Sequence, residues 1–511
     1  MRSTHRSLSA TGPADAAPGG DRPARTRGLA PCLTVLPALL LALLLAACSP
    51  GEGGAGTSDD AGAGAPATAL VGATIVDGTG GPAIEDGVLV LASDTIACVG
   101  TREACPVPER AEVEELAGRY LTPGLIDTHV HFSQTGWLDG RPDGLDVMAR
   151  YPYPEVVREL RTNPGRFFAS YLCNGVTGVF DVGGFRWTIA LAREVAGDPT
   201  APHMRAAGPL VSHAGREELG TEEDGSQFLM LTSPAAGREG VRELAALGAD
   251  AVKLWYLSPP EERWEEIEAR IRAVAEEAQA AGLPLIVHAT ELQTARVAVD
   301  AGAFLLVHSV GDRPVDDAFV ALMKERGTIY APTLVVGRNW TRAVKAAVTG
   351  RVPEWEDPLG CVDEGTVEKL RAAPEIQGLA SDDRFTPESF RAREDRNARQ
   401  AETMAANLRR LHAEGIPIVL ATDAGNPLTL HGASVHQEME AMEAAGIPPA
   451  DLLVIATRNG ARALRRPDLG TLERGKKADL LVLSRNPLET AASFRALEAV
   501  LHDGAWVKRR E

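Results

Sequence analysis

Six residues of the kinds that bind metal ions or move protons are spread along the central part of the sequence. The first two, His129 and His131, are separated by one residue in the segment TPGLIDTHVHF, residues 122–132. If this segment is a strand, both imidazoles point to the same face and can share one metal ion. An isolated HxH pair is weak evidence, because a buried structural histidine is more common than a ligand.

Four further candidates each lie near the end of a run of apolar and β-branched residues. They are Lys253 in GADAVKLWY, His288 in LPLIVHAT, His308 in FLLVHS and Asp423 in PIVLATDAG. A salt bridge at a barrel rim would also explain Lys253, and a helix N-cap would explain Asp423. The metal interpretation gains weight because all six candidates lie near strand ends and none lies in a predicted helix. A mixed set of imidazoles and carboxylates suits zinc, and it also accepts manganese or other divalent ions.

The elements that must position these residues form a regular alternation of short apolar runs and helical stretches. This pattern predicts an α/β fold, a (β/α)8 TIM barrel. Barrel enzymes carry their active sites at the C-terminal ends of the strands, which is where the six candidates fall. The predicted strands cover residues 124–132, 175–181, 203–212, 250–256, 283–289, 303–309, 328–336 and 417–423.

The predicted domains divide the chain into a barrel and its flanks. The barrel covers residues 123–465 and contains a charged insertion at about 338–405, which we expect to lie over the barrel mouth as a lid. Residues 68–122 and 466–511 show short strands separated by Gly, Asp and Pro turns. We expect these two flanks to form one small β-sandwich domain built from both ends of the chain.

Residues 1–47 resemble a signal peptide of the lipoprotein type. Several arginines precede an apolar run that is too short to span a membrane and contains a proline. The run closes on LAAC, which resembles a bacterial lipobox and makes Cys48 the lipidated residue. Residues 48–67 are rich in Gly, Ala and Ser, as expected of a flexible tether. This pattern predicts an exported protein of the bacterial cell envelope with a lipid anchor in the membrane; a secreted or periplasmic soluble protein and an uncleaved anchor are the alternatives.

The overall charge argues against one class of partner. The chain has 70 Asp and Glu residues against 52 Lys and Arg, which gives a formal net charge of -18 at pH 7. No cluster of Lys and Arg occurs after the first 28 residues. A nucleic-acid partner is therefore not expected, because such a protein needs a basic face to neutralise phosphates. The expected partner is a small molecule, and the sequence does not indicate an oligomeric state.

Four cysteines remain after Cys32 is assigned to the signal peptide and Cys48 to the lipid anchor. Cys98 and Cys105 could form a disulfide if the protein is exported to an oxidising compartment. The sequence suggests no partner for Cys173 or Cys361. We therefore expect each of these two to be a buried, unreactive thiol.

With these motifs in place, the sequence resembles the metal-dependent amidohydrolase superfamily. It looks most like the branch that holds imidazolonepropionase-like proteins and Xaa-Pro dipeptidases. The resemblance covers nearly all of residues 68–511. It rests on the TPGLIDTHVHF opening, the spacing from HAT to VHS, the ATDAG motif, the helix ATRNGARAL and the strand GKKADLLVL.

The resemblance implies a binuclear metal centre, with a first metal bound by His129, His131 and Asp423. The second metal would be bound by His288 and His308. A carbamate formed from Lys253 and CO2 would bridge both metals. Asp423 would also move the proton during catalysis.

Elementary chemistry agrees with these roles. Two divalent cations held ~3.5 to 4 Å apart lower the pKa of a shared water molecule and polarise the carbonyl under attack. A protonated Lys253 would repel the cations, whereas its carbamate is an anion with two oxygens. Asp423 can take a proton from the attacking water and return it to the departing nitrogen. The predicted reaction is hydrolysis of an amide or related C–N bond, with dipeptides or cyclic amides as the leading substrates.

One motif supports a different reaction. Glu291 lies three residues after His288, as in deaminases of the same superfamily that use one metal and a glutamate proton shuttle. Thr290 and Gln293 compete with this interpretation, because they could form a capping box that makes Glu291 a first-turn acid. A non-catalytic binding protein on the same scaffold is a third alternative, and the presence of all six candidate ligands argues against it.

Three further residues are candidates for contacts with the substrate. His213 follows the third predicted strand in GPLVSHAG, and Tyr256 lies three residues after Lys253. His431 follows the eighth predicted strand in LHGASVHQE. A surface position would equally explain His213, and closure of the barrel rim would explain Tyr256.

Overall fold

The computed structural model describes residues 67–377 and 385–509. The predicted signal peptide, the lipidated Cys48 and all but the last residue of the predicted tether lie outside the described residues, so they stay predictions. Within the described ranges, no helix has the length and apolar character needed to cross a membrane.

The strands form the sheets of the molecule. In chain order they are β1 (Thr68–Ile75), β2 (Ile84–Ala92), β3 (Thr95–Gly100), β4 (Glu112–Glu115), β5 (Tyr120–Pro123), β6 (Leu125–Val130), β7 (Val176–Asp181), β8 (His203–Ala206), β9 (Leu210–Ser212), β10 (Gly220–Thr221), β11 (Gly225–Ser226), β12 (Phe228–Met230), β13 (Val252–Trp255), β14 (Leu285–His288), β15 (Leu305–Val307), β16 (Ile329–Ala331), β17 (Leu480–Leu483), β18 (Leu497–His502) and β19 (Ala505–Arg509).

The α-helices alternate with the central strands and then follow one another in the last third of the chain. They are α1 (Tyr153–Thr162), α2 (Gly165–Cys173), α3 (Trp187–Glu194), α4 (Pro234–Leu247), α5 (Trp264–Ala280), α6 (Leu292–Asp300), α7 (Asp317–Arg326), α8 (Val336–Thr349), α9 (Glu364–Arg371), α10 (Pro387–Ala413), α11 (Ser434–Ala444), α12 (Pro449–Val454) and α13 (Gly460–Ala463).

Local sequence explains where several helices begin and end. Helix α4 begins after Ser233, whose side chain accepts a hydrogen bond from the Ala236 N–H, and it ends at Gly248 in the left-handed conformation. Helix α10 begins with a capping box between Thr386 and Ser389. These side chains satisfy N–H groups that a helix start leaves without an intrahelical partner.

The two ends of the described chain meet in one sheet of eight strands. Its order is β19-β18-β17-β5-β1-β2-β3, with β4 paired to β1 off this path. The antiparallel pair β17–β5 joins the two ends, and Leu480 faces Pro123 in its register. The hydrogen bonds show one continuous mixed sheet, and the two layers of the predicted sandwich are not confirmed.

The central strands form two further sheets that are mainly parallel, β6-β7-β8 and β12-β9-β13-β14-β15-β16. Strands β6 and β7 are buried along their whole length, as expected for parallel strands covered on both faces. Backbone hydrogen bonds run from the Thr128 N–H to the Leu420 carbonyl (3.0 Å) and from the Tyr330 N–H to the Pro417 carbonyl (2.8 Å). The segment around 417–420 therefore lies between β6 and β16, and the α/β fold is TIM-barrel-like.

Three predicted strands differ from the structure. The third, expected at 203–212, is divided into β8 and β9, which belong to different sheets. The seventh was expected at 328–336, but β16 ends at Ala331 and helix α8 already begins at Val336. The eighth, expected at 417–423, makes only isolated bridges, for example between Tyr330 and Ile418. This segment ends at Asp423, whose positive φ of 65° is incompatible with a continued extended strand.

The predicted insertion at about 338–405 contains α8, α9 and most of α10 among the described residues. Its apolar side chains pack against the loop after β6, where Trp137 and Leu145 belong to the same buried cluster as Ala343 and Leu370. The insertion is thus attached to the loops at the C-terminal ends of the central strands.

The four cysteines of the described residues form two disulfides. Cys98 is joined to Cys105, as the sequence allowed, and Cys173 is joined to Cys361. The expectation of two buried free thiols at Cys173 and Cys361 was wrong. The reason is tertiary: Cys173 ends α2 and Cys361 lies in the insertion, 188 residues apart in sequence, yet their Cα atoms are 5.7 Å apart.

Candidate functional site

One cavity of about 280 Å³ lies at the C-terminal ends of the central strands. The six residues predicted from their positions at strand ends all line it. They come from β6 and its end, from β13, from β14, from the residue after β15 and from the segment after Leu420: His129, His131, Lys253, His288, His308 and Asp423.

Asp423 lies at the centre of the first group of side chains. One of its carboxylate oxygens, Oδ1, is 2.9 Å from His131 Nε2 and 3.3 Å from His129 Nε2. The other, Oδ2, is 4.0 Å from His308 Nδ1. Three imidazoles therefore surround one carboxylate, which is a donor set that suits zinc and that other divalent ions can also accept.

The second group adjoins the first. The rings of His288 and His308 have centroids 4.4 Å apart, and those of His129 and His308 are 4.9 Å apart. Lys253 is 1% exposed, and its Nζ has no hydrogen-bond partner among the described residues. A buried amine without a partner is costly, so this position calls for a further chemical group.

Neighbouring polar groups orient the candidate ligands. His131 Nδ1 lies 2.7 Å from the Gly183 carbonyl oxygen, and His308 Nδ1 lies 2.7 Å from Thr333 Oγ1. In each case the hydrogen bond holds the ring by Nδ1 and leaves Nε2 for a metal ion, as is common for metal-binding histidines.

The backbone is also unusual at two of the six positions. His308 and Asp423 have φ values of 73° and 65°, in the left-handed region that costs a non-glycine residue about 1 kcal/mol or more. Gly425 follows with φ 104°, and a Cβ there would lie 2.6 Å from the His131 carbonyl oxygen. Strained residues of this kind cluster at functional sites, where the surrounding structure holds them in place.

Burial keeps three histidines of the site neutral. Burial lowers the pKa of His129 and His288 well below the ordinary value, and it lowers the pKa of His308 to about 4. A neutral imidazole has the lone pair that a metal ligand needs. The desolvated site therefore provides these rings in their metal-binding form at neutral pH.

Asp423 and Lys253 respond to the same environment in different ways. Burial opposes ionisation of Asp423, but the imidazoles of His129, His131 and His308 outweigh it and hold the pKa of this carboxyl well below its usual range. Burial lowers the pKa of Lys253 to about 7, although the carboxylate of Asp423 acts in the opposite direction. The site thus combines an ionised carboxylate with an amine that is partly neutral near pH 7.

Two groups of described residues have ligand atoms close enough to hold one metal ion. In the first, the ligand atoms of His129, His308 and Asp423 all lie within 4.8 Å of one another. The second consists of His203, His502 and Asp503. Its His502 uses both ring nitrogens, towards Asp479 and the Ala201 carbonyl oxygen, so this ring has no lone pair free for a metal.

The three predicted substrate contacts do not lie in the cavity. Tyr256 is 1% exposed and packs against His213, and neither residue lines the cavity. His431 is also buried, with Nδ1 2.9 Å from Tyr171 Oη and Nε2 2.9 Å from the Gln134 carbonyl oxygen. These three residues do not line the cavity, and their contact with a substrate stays a prediction.

Glu291 also lies outside the cavity. It is exposed at the N-terminus of α6 and makes no side-chain capping hydrogen bond. The capping box between Thr290 and Gln293 is absent too, because the N-cap position of α6 is Glu291 and not Thr290. Asp312 Oδ1 accepts the Leu292 N–H at 2.9 Å. The position of Glu291 does not favour its role as a proton shuttle.

Several cavity residues were missed by sequence reasoning. Arg141 donates hydrogen bonds to Asp143 (2.8 Å) and to Asn426 Oδ1 (2.5 Å), and its guanidinium lies 5.0 Å from the Trp340 ring centroid. Arg141 comes ten residues after His131, in the loop at the end of β6, and that position was the available signal. Trp340 belongs to the insertion, and nothing in its sequence context indicated that it reaches the cavity. The other missed lining residues include Gln134, Gln227, Phe228 and Trp255.

Comparison with protein families gives one match that covers most of the chain. The profile described as "Amidohydrolase family" matches residues 120–507. This range contains all six candidate metal ligands.

Individual relatives agree with that match. An imidazolonepropionase from Rhizorhabdus wittichii is 27% identical over 438 residues, which cover 79% of this chain and 90% of that protein. A 5-methylthioadenosine/S-adenosylhomocysteine deaminase from Halalkalibacterium halodurans is 23% identical over 419 residues, covering 79% of this chain and 81% of that protein. Among solved structures, a Xaa-Pro dipeptidase with bound methionine in the active site has a TM-score of 0.64 and 22% identity, with coverage of 86% and 99%.

Proposed function

Since this chain belongs to the amidohydrolase family and is a hydrolase of carbon–nitrogen bonds, we propose that it cleaves an amide, dipeptide or cyclic amide with a binuclear metal centre. The family membership predicted from the motifs is confirmed. The number of metal ions, the carbamate and the substrate class belong to the proposal.

The environment of Lys253 is the observation that carries the binuclear proposal. Its Nζ is buried and has no hydrogen-bond partner in the part of the chain that the structure describes, and it lies in the same cavity as four histidines and Asp423. Burial lowers its pKa to about 7, so a substantial fraction of the amine is neutral at neutral pH. The neutral amine can attack CO2, and loss of one proton then leaves a carbamate anion in place of the ammonium cation. Such an anion provides two oxygens and supplies the missing partner.

The residues present fit a pair of divalent cations. His129, His131 and Asp423 would hold one ion, and His288 and His308 the other, with the Lys253 carbamate shared. Neutral imidazoles favour zinc, and the oxygen ligands also permit manganese or another divalent ion. When bound, the metal pair would lower the pKa of a water molecule and polarise the amide carbonyl.

The protein's own groups then handle the proton and the substrate. The Asp423 carboxylate, ionised and buried, accepts a proton from the attacking water and returns it to the departing nitrogen. Phe228, Trp255 and Trp340 form apolar parts of the cavity wall and limit access of bulk water. Arg141, held by Asp143 and Asn426, places a fixed positive charge beside this wall.

Deamination is the competing reaction, and one relative is named as a deaminase. In this chain Glu291 is exposed and does not line the cavity. The residue that would shuttle the proton is therefore not near the site, whereas Lys253 is. This difference favours hydrolysis with two metals.

The proposal is tested by metal content per chain, measured by elemental analysis after expression with bicarbonate and zinc or manganese. We expect close to two ions in the wild type and a clear loss in Lys253→Ala. The control is Lys324→Ala, which removes an exposed lysine paired with Glu414. A carbamate carbon signal after exposure to isotope-labelled bicarbonate should appear in the wild type and the control only. One ion per chain in both Lys253→Ala and the wild type would overturn the binuclear centre and favour deamination.

A further inference from the structure

A second cavity adjoins the metal-site cavity and is larger. Its volume is about 780 Å³, against about 280 Å³ for the first. Thr290, His308, Val336 and Gly337 line both cavities. The two spaces are therefore neighbours across this short wall, and we call the larger one the side chamber.

Small apolar residues account for the size of the side chamber. Helix α10 contributes positions three and four residues apart, which fall on one face of a helix. Helix α11 contributes alanines from the opposite side. Most of these side chains end at Cβ, so the two helices leave a wide space between them. Ala398, Ala401 and Ala444 are exposed, so this space is open to solvent. The apolar lining from these helices comprises Ala398, Ala401, Met404, Ala405, Ala441 and Ala444.

Two of the three charged side chains that line the side chamber, Glu394 and Arg342, have hydrogen-bond partners within the protein, and for Arg338 no such partner is present among the described residues. Glu394 accepts a hydrogen bond from Lys345 at 2.5 Å, and Arg342 donates to the Glu354 carbonyl oxygen at 2.7 Å. The Lys345 ammonium compensates the Glu394 carboxylate. The wall formed by the alanines and Met404 of α10 and α11 is therefore the part of the chamber suited to an apolar group.

We propose that the side chamber binds an apolar group of the substrate, so that the preferred substrates are amides with a bulky aliphatic or aromatic group on one side of the scissile C–N bond. This inference rests on the proposed hydrolase function and extends it to a substrate class. The metal-site cavity holds the reacting amide, and the group passes the wall at Val336 and Gly337 into the side chamber. Burial of apolar surface there provides the binding energy.

The first experiment measures kcat/KM of the metal-loaded protein on a series of acyl nitroanilides whose acyl chain lengthens from acetyl to decanoyl. We expect kcat/KM to rise about twofold to fourfold for each added methylene until the chamber is full. The test variant is Ala405→Phe, which fills the chamber from α10. Its neighbour Ala406→Phe is the matched control, because Ala406 is exposed on the same helix and lines neither cavity.

The expected result is a loss of at least tenfold for the decanoyl substrate in Ala405→Phe, with the acetyl substrate unchanged and Ala406→Phe like the wild type. If kcat/KM does not change with chain length while the short anilide is still hydrolysed, the proposed role of the side chamber is overturned and the proposed function stays intact. Absence of hydrolysis of every amide tested would instead count against the proposed function.

A binding measurement tests, without catalysis, whether the side chamber binds an apolar group. Anilinonaphthalene sulfonate becomes fluorescent in apolar surroundings, and we expect it to bind the metal-free protein and to be displaced by decanamide. Ala405→Phe should weaken its binding about tenfold, and Ala406→Phe should not. Equal binding by both variants would overturn the proposal. A sedimentation coefficient that falls in Ala405→Phe alone would also overturn the proposal. It would mean that the substitution dissociates a dimer, so that a second copy of the chain covers the chamber in the wild type.

Discussion

His308 Nδ1 lies 2.7 Å from Thr333 Oγ1, and this contact connects a candidate metal ligand to the turn that follows β16. The same turn is held from the other side by Glu438 on α11, whose carboxylate accepts hydrogen bonds from the N–H groups of Leu334 (2.7 Å) and Val335 (3.1 Å). When Nδ1 donates to Thr333, the ring keeps its Nε2 lone pair for a metal. The orientation of His308 therefore depends on Thr333 and Glu438, neither of which is a candidate metal ligand.

The first prediction concerns this orientation. Thr333→Val keeps the size of the side chain and removes the hydroxyl, so His308 loses its partner. We expect metal affinity to fall about 10-fold to 100-fold, the usual effect of losing a partner of a metal-binding histidine. Competition with a chromogenic chelator measures the change. Thr403→Val, at a half-buried hydroxyl on α10 that bonds only its own helix, is the control; equal affinity in the two variants would contradict the prediction.

The second prediction concerns the ionisation of Glu438. Burial raises its pKa to about 8, although the two backbone N–H groups act against this. In the unfolded chain the pKa is ~4.3. The folded state thus binds the proton more tightly, so this contribution to stability is complete below the unfolded value and is lost as pH rises through about 8.

Glu438→Gln removes this titration. We expect the free energy of unfolding of the wild type to fall relative to Glu438→Gln as pH rises from ~4.3 to about 8, by ~1.4 kcal/mol for each unit of pKa difference that is realised. Urea unfolding at several pH values checks this. Parallel pH profiles for the two proteins would show that Glu438 keeps an ordinary pKa.

The third prediction concerns a buried cluster that joins β8 to the C-terminal strands. Asp479 is bonded to His203 Nε2 (2.9 Å) and His502 Nδ1 (2.8 Å), and all three residues are buried. Asp479→Asn leaves the imidazoles without their anionic partner, and we expect a loss of about 3 kcal/mol in the free energy of unfolding. Asp94→Asn, at an exposed partner of Lys477, should cost less than ~1 kcal/mol.

The same cluster predicts a pH dependence. Burial opposes the charge on Asp479, but hydrogen bonds from His203 and His502 outweigh it and lower the pKa of this carboxyl. The stabilisation of the folded state by Asp479 is therefore present above pH ~3.9 and is lost as the pH falls below that value. Burial also opposes the charge on His502, but Asp479 outweighs it and raises the pKa of this imidazole. The stabilisation of the folded state by protonated His502 is therefore complete below pH ~6.5 and is lost as the pH rises through the raised pKa. The stability difference between wild type and Asp479→Asn should therefore be largest between ~4 and ~6.5, and a difference independent of pH would contradict this.

The fourth prediction compares the two disulfides. The Cys173–Cys361 bond closes a loop of 188 residues and the Cys98–Cys105 bond a loop of 7. Chain entropy then predicts that losing the first costs about 5 kcal/mol and losing the second about 2 kcal/mol. Thermal unfolding of the two double Cys→Ala variants measures both effects. Unfolding temperatures that fall equally in the two variants would contradict the prediction.

Much of the site could be predicted from the sequence because parallel strands end at one edge of a sheet. His129, Lys253, His288 and His308 each follow or end an apolar run, so their types and positions were enough to predict that they meet. The structure brings them together with Asp423 even though the eighth strand is reduced to isolated bridges. Family membership followed from the same motifs.

Only the tertiary structure decided which loop residues reach the cavity. Arg141 and Trp340 line it, while Tyr256 and His431 are buried elsewhere, and the pairing of Cys173 with Cys361 joins segments far apart in sequence. Strand positions repeat with a period that the sequence displays. The path of a loop has no such period and is set by packing against the rest of the fold, so it emerges only when the whole chain is assembled.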